Sequence, residues 1–376
     1  MAIRYNMEKS KVYFTDFSAE HISVPQKFKR LIKAACIDDI DFNNKFVAVK
    51  MHFGEPGNIA YLRPNFAKAL CDMIKERGGK PFLVDCNTLY PGRRKNALEH
   101  LDSAYENGYN PFTTGVHVII GDGLKGTDDV EVPVKGGEYV KSAKIGKAVM
   151  DADIFIALSH FKGHEAAGFG GAIKNIGMGC GSRGGKMEMH SDGKPVVNTN
   201  VCVGCRLCLR GCANDAIEFI DGKAHIDHEK CVGCGRCIGT CNHDAISPGS
   251  GTRNETMCKK MAEYTKAVID GRPCFYISVV CDVSPYCDCY SLNDIPIVPD
   301  IGMFASFDPV AIDQACADAV NAAEPVKGSL LDKSEKHYHD HFKNVSPDTE
   351  WQASLEHGEK IGIGTRQYEL IKLDIK

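Results

Sequence analysis

Apolar and polar positions change period repeatedly along the first half of the chain. Continuous apolar runs at 12–17, 46–53, 81–86, 117–121 and 153–159 predict strands, several unbroken enough to be buried on both faces. Between them, Phe66, Ala69, Leu70, Met73 and Ile74 recur at helical spacing, so a helix is expected over 65–77, stopped by Gly78 and Gly79. A second helical segment, 96–107, stops at Gly108. The pattern resumes later. A helix over 257–270 ends at Gly271, and strands are expected at 274–283 and 295–304. Asp308 and Pro309 read as the N-cap and first turn of a helix reaching about Ala323. A helix over 351–360 and a strand at 367–373 close the series. Strand–helix alternation predicts an α/β fold, a mainly parallel sheet with helices on both faces.

Between these two halves the periodicity gives way to cysteine. Eight of the 18 cysteines form two runs, Cys202, Cys205, Cys208, Cys212 and Cys231, Cys234, Cys237, Cys241. Both read C-x2-C-x2-C-x3-C, and the second repeats the first after 29 residues, down to the Asp-Ala-Ile at 215–217 and 244–246. Such duplication marks one structural unit used twice. Soft thiolates select iron–sulfur or zinc over hard cations. A zinc site needs only four ligands, often with His, and a disulfide framework needs an oxidising compartment. The spacing is that of two [4Fe–4S] clusters, in which the fourth cysteine of each run ligates the other cluster. One cluster is therefore assigned to Cys202, Cys205, Cys208 and Cys241, and its twin to Cys231, Cys234, Cys237 and Cys212. The residue after the fourth cysteine is often Pro; here Ala213 and Asn242 stand there, which bears on the next turn rather than on ligation. A small α+β ferredoxin-like unit is expected over 196–251, inserted into a discontinuous α/β core of 1–195 and 252–376. The strands after the cysteines would be marginal alone.

Polar clusters come directly after several predicted strands, where open α/β sheets bind ligands. His52, Glu55 and Arg63 follow the second strand, Asp85, Asn87, Tyr90, Arg93 and Arg94 the third, and His160, Lys162 and His164 the fifth. Cys281, Cys287 and Cys289 follow the strand at 274–283. Each cluster alone could be a solvated loop; their recurrence at four strand ends favours one shared pocket. His52, Glu55, His160, Lys162 and His164 are the candidate catalytic residues. The glycine-rich stretch 168–177 lets a helix begin near Gly171, whose free amides, with Gly170, Lys174, Asn175, Arg93 and Arg94, would receive a small anion or the tail of a cofactor. Tight helix packing is the competing reading of those glycines. No Walker Gly-Lys-Ser/Thr follows, and no GxGxxG fingerprint supports NAD; flavin stays open. His160 and His164 lack the acidic partner of a zinc hydrolase. Cys281, Cys287 and Cys289 are a candidate third metal site or a redox-active dithiol, against the alternative of buried small hydrophobes.

Composition narrows the setting. With 43% hydrophobic residues and a net charge of −4, there is no global nucleic-acid signature. No apolar run is long enough to span a bilayer, and the first ten residues lack a signal-peptide core. Abundant thiols point to a reducing cytoplasm, and a redox partner protein is expected.

The motifs HFGEPGN at 52–58, DCNTLYPGRR at 85–94, HFKGHEAAGFGGAIKNIGMGC at 160–180 and CDVSPYCDC at 281–289 resemble those of the uncharacterised Fe–S centre proteins of the DUF362 superfamily. The resemblance runs roughly from His52 to Asp313. It implies a core domain carrying a two-cluster ferredoxin module, and no particular reaction. The functional expectation is electron transfer through two [4Fe–4S] clusters to a substrate or cofactor in the α/β pocket. An electron-carrier or adaptor subunit, or a metal or cluster delivery protein, are the alternatives.

Overall fold

The computed structural model describes residues 9–90, 92–191, 194–249 and 254–375. All but the last two of the ten N-terminal residues read for a signal peptide, and the 251/252 boundary, lie outside them. Eight strands form one sheet: β1 (Ser10–Thr15), β2 (Phe46–Lys50), β3 (Lys80–Asp85), β4 (Val118–Ile120), β5 (Ile154–His160), β6 (Cys274–Val280), β7 (Gly302–Ser306) and β8 (Tyr368–Lys372). Their order is β8-β1-β7-β6-β5-β2-β3-β4. Every pairing is parallel except those of β7, which runs against both β1 and β6. The fold is thus α/β with a mostly parallel sheet, and the carboxyl ends of β2, β3, β5 and β6 share one edge.

Alternation along the strands divides the core in two. Val47, Val49, Ile154, Ile156, Leu158, Ile277 and Val279 face one layer, packed by the helices Val24–Ala34 and Pro64–Glu76. Ala48, Phe155, Ala157, Tyr276 and Val280 face the other, covered by Ala172–Cys180, Asn254–Ile269, Pro309–Asn321 and Trp351–Lys360. Asp308 caps the helix Pro309–Asn321 through the amides of Val310 and Ala311, as its position before proline predicts. The strand expected at 295–304 begins only at Gly302. Pro296 and Pro299 remove two ladder donors from the preceding stretch, which therefore crosses as a loop.

The duplicated cysteine segment folds as a duplicated backbone. The short helices Leu207–Gly211 and Arg236–Thr240 follow the same turns in each half. Gly204 and Gly233, Arg206 and Gly235, and Asp215 and Asp244 take positive φ as equivalent pairs. Two small antiparallel ribbons frame the unit, Pro195–Val197 with Ile246–Pro248 and Ile217–Ile220 with Lys223–Ile226. Sheet strands lie on both sides of it in the sequence.

The helix Ala172–Cys180 does begin after Gly171, but its first amides are already taken. Buried Asp313, from the helix Pro309–Asn321, accepts the Ala172 amide at 2.6 Å and the Ile173 amide at 2.9 Å. A side chain on Gly171 would collide with that carboxylate, which is why glycine stands there. The acceptor at this helix terminus is the protein's own side chain. Asp313→Ala would leave two buried donors unsatisfied, so unfolding in urea should show a loss of about 2–4 kcal/mol, with Asp313→Asn losing less. An unchanged midpoint in both variants would show that the helix start does not depend on this contact.

Candidate functional site

A cavity of about 210 Å³ opens at the carboxyl ends of β2, β3 and β5, beside the loop that follows β6. It brings together His52, Asp85, Tyr90, Arg94, His160, Lys162, His164, Gly170, Gly171, Lys174, Asn175, Cys287 and Cys289 from the residues the sequence singled out. Lys50, Lys186, His190, Asp288 and Tyr290 join them. Glu55 stands behind the wall, and the Arg93 side chain turns away to pair with Glu106 at 2.6 Å.

Buried charge here is paired across loops. Lys50, 1% exposed at the end of β2, meets Asp85 at the end of β3 at 3.0 Å and donates to Asn175 at 2.9 Å. Asn175 in turn donates to the Lys50 and Leu158 carbonyls, so it ties the helix Ala172–Cys180 to β2 and β5. Arg94, also 1% exposed, pairs with Glu55 at 2.7 Å. Glu55 additionally accepts the Arg93 amide at 2.6 Å. Removing one member of such a buried pair costs about 3–5 kcal/mol.

Two histidines are set in opposite states by what faces them. Both ring nitrogens of His52 face N–H donors, Arg94 Nη1 at 2.9 Å and the Gly54 amide at 3.0 Å. Burial and the Arg94 charge lower its pKa to about 3, so the ring is neutral. Both ring nitrogens of His160 face acceptors, Asp288 Oδ2 at 2.8 Å and the Cys281 carbonyl at 2.7 Å. Burial would lower its pKa, but the Asp288 carboxylate and the Cys281 carbonyl together raise it, and the ring is held as imidazolium. Asp288 Oδ1 has no hydrogen-bond partner among the described residues.

Cys287 lies at the centre of the donors. Lys174 Nζ reaches its sulfur at 3.5 Å and the Cys289 amide at 3.4 Å. His164 Nδ1 accepts the amides of Ala166 and Ala167 at 3.1 and 3.0 Å, so its proton sits on Nε2, toward Cys287. Burial opposes charge on Cys287, but hydrogen bonding from Cys289 and the ammoniums of Lys162 and Lys174 outweigh it and favour the thiolate. The Cys287 bond and burial raise the Cys289 pKa, keeping it a thiol. Burial would lower the Lys162 pKa, yet Cys287 and Asp288 raise it. His164, Cys287 and Cys289 carry potential metal-ligand atoms within 4.8 Å of one another. Cys281 stands outside this group, buried, its thiol pushed up by that burial. Gly163 is required by a close approach: a Cβ there would lie 2.7 Å from the Ser284 carbonyl, on the loop that delivers Cys287.

In the cysteine-rich unit, two smaller concavities each collect four thiols. Cys202, Cys205, Cys208 and Cys241 line one, and Cys212, Cys231, Cys234 and Cys237 the other. Of the sulfurs, Cys202, Cys241 and Cys212 accept the amides of Ala224, Ala245 and Ala216 at 3.3–3.5 Å. The unit meets the cavity through the helix Arg183–Ser191. Arg183 and Met187 pack over Gly235, and Gly239 leaves room for the Arg183 guanidinium, while Lys186 and His190 of the same helix line the cavity. Sequence reasoning passed over this helix, Lys50 and Asp288. A lysine closing an apolar strand, and an aspartate between two cysteines, were the available signals.

The His160–Asp288 pair gives a pH signature. His160 titrates above its ordinary 6.5 and Asp288 below its ordinary 3.8. The His160 contribution is therefore fully present below pH 6.5 and is lost as pH rises through the raised value; the Asp288 contribution is present above 3.8 and lost as pH falls through the lowered one. The Tm deficit of His160→Gln relative to the unsubstituted chain should be larger at about pH 5.5 than at about pH 9. An equal deficit at both would contradict the imidazolium assignment.

Comparison with known proteins places the chain in a family without assigning it a reaction. A thylakoid-associated protein of Synechocystis sp. (strain ATCC 27184 / PCC 6803 / Kazusa) is 28% identical over 131 residues, 33% of this chain, and the match spans only 35% of that relative. Among solved structures, the lactate racemase apoprotein from Thermoanaerobacterium thermosaccharolyticum aligns with a TM-score of 0.39 at 11% identity, covering 72% of this chain and 50% of that one. A protein from Thermotoga maritima aligns at 0.38 and 10%, covering 79% and 57%. No helix among the described residues is long and apolar enough to cross a membrane. The family model described as domain of unknown function (DUF362) matches residues 47–318, a span that includes both cysteine quartets and every residue named on the cavity wall, and the chain belongs to that family.

Proposed function

We propose that the chain is an iron–sulfur redox protein. Its inserted cysteine module, 196–251, holds two [4Fe–4S] clusters and passes single electrons toward a small anionic ligand in the cavity of the α/β core. The observation that carries this reading is the make-up of the two concavities: each takes three cysteines from one run and the fourth from the other. That exchange is what the spacing of two-cluster ferredoxins requires.

The donor set fits the group. Each concavity offers four thiols, apolar neighbours such as Phe219 and Ile246 or Ile217 and Ile226, and, among the described residues, no Asp or Glu. Amides aimed at sulfur stabilise thiolate charge. When bound, each cluster supplies a one-electron donor or acceptor. The chain's own residues give direction. Cys205 of the first quartet is exposed, where a partner protein could dock. The second quartet adjoins Arg183, whose pKa burial lowers while Asp122, then Cys237 and Cys234, oppose that shift. That residue begins the helix carrying Lys186 and His190 into the cavity.

An open cavity at the strand ends supports ligand binding over a purely docking role. Its size suits a small metabolite rather than a dinucleotide. Lys162, Lys174 and Lys186 on its wall favour an anion.

Anaerobically prepared chain should carry about eight irons. Cys208→Ser and Cys241→Ser should each leave about four, and the double variant still about four, because both residues serve one cluster. Cys208→Ser combined with Cys237→Ser should lose nearly all. Iron analysis that instead pairs Cys208 with Cys212 would overturn the interleaved assignment, and an iron-free, zinc-loaded chain would overturn the function.

A further inference from the structure

Besides Cys86, the cavity wall holds two cysteines that the two clusters leave unused, Cys287 and Cys289. Their geometry is that of a pair, not of two isolated thiols. The Tyr290 amide donates to the Cys287 carbonyl at 3.0 Å, closing a tight turn with Asp288 and Cys289 at its centre. The turn is pinned from both sides: Asp288 is gripped by His160 at 2.8 Å, and its carbonyl accepts the Glu55 amide at 2.9 Å. The two sulfurs lie within 4.8 Å of each other, and residues two apart in a turn bring their Cα atoms into the span a disulfide bridges.

The surroundings argue against a metal centre on these sulfurs. Lys162 and Lys174 bring two ammonium groups to Cys287, and a divalent cation would have to displace or repel them. The lone pair of His164 Nδ1 is already taken by two amides, so the ring turns an N–H, not a ligand lone pair, toward the sulfur. What these groups stabilise is a thiolate with a thiol beside it, the reduced half of a disulfide couple.

We infer that Cys287 and Cys289 form a redox-active dithiol–disulfide pair that takes up two electrons at the cavity end of the path, an inference that rests on the cluster reading above. In the oxidised form a Cys287 Sγ–Cys289 Sγ bond closes the turn. Two electrons, one from each reduced [4Fe–4S] cluster, break that bond. Cys287 leaves as the thiolate held by Lys162, Lys174 and the His164 Nε2–H. Cys289 takes one proton from solvent in the cavity and becomes the thiol. Each cluster ends one electron more oxidised, so electrons and protons balance. The arrangement matches two one-electron carriers to one two-electron couple.

Reductive titration of the full chain under argon, after mild oxidation with a dye, tests this directly. Cluster absorbance follows the iron, and alkylation with mass mapping follows the peptide holding both cysteines. The unsubstituted chain should take up about four electrons and Cys289→Ser about two, with about eight irons in each. The peptide should resist alkylation before reduction and carry two labels after it. If both proteins take up about two electrons, or the peptide is doubly labelled before any reductant, the pair is idle and the inference falls while the clusters stand. Stoichiometric metal released from these two thiols would overturn it as well. An iron-poor chain defeats the cluster reading and this inference together.

Discussion

A charge taken out of water must find a partner, and that constraint shapes the carboxyl edge of the sheet. Lys50 with Asp85 and Arg94 with Glu55 join the end of β2 and its loop to the end of β3 and its loop, and His160 with Asp288 joins β5 to the loop after β6. Each pair offsets part of a desolvation cost of several kcal/mol per ion only if its geometry is kept. The loops are therefore fixed relative to one another, and the cavity between them is preorganised. With Lys50 and Arg94 matched to carboxylates, Lys162 and Lys174 bring their positive charge to bear on Cys287.

The same matching of charge explains what the glycine-rich stretch does. A helix start with free amides is a ready anion site, yet Asp313 fills this one from within. The proposed anion is therefore held by lysine side chains and not by a helix terminus. A different helix, Arg183–Ser191, links the cavity to the cysteine module, with one flank against the second quartet and the other on the cavity wall. Lys95 adds a second tie, donating to the Cys241 carbonyl at 3.4 Å and pairing with Asp244.

Much of the architecture was legible in the chain itself because its strands are unbroken apolar runs and its helices have clear stops. The helices Pro64–Glu76 and Trp351–Lys360 fall where periodicity placed them. The reversed direction of β7 was not legible, since strand direction is set by tertiary pairing and leaves no local trace. Clustering of His52, His160, Lys162 and His164 could be anticipated from their position after strands. The states of these histidines could not, because neutral His52 and cationic His160 differ only in whether donors or acceptors face them. Arg93 read as equal to Arg94, but neighbours in a loop point oppositely, and Glu106 holds one outside while Glu55 draws the other in.

The proposed module is a pair of adjacent one-electron centres feeding that charged cavity. Electron paramagnetic resonance of the anaerobic, dithionite-reduced chain with spin integration addresses it most directly. About two spins per chain, broadened by mutual interaction, are expected from two neighbouring reduced cubanes. A spectrum without signal, from protein whose thiols hold zinc or are bridged, would contradict it.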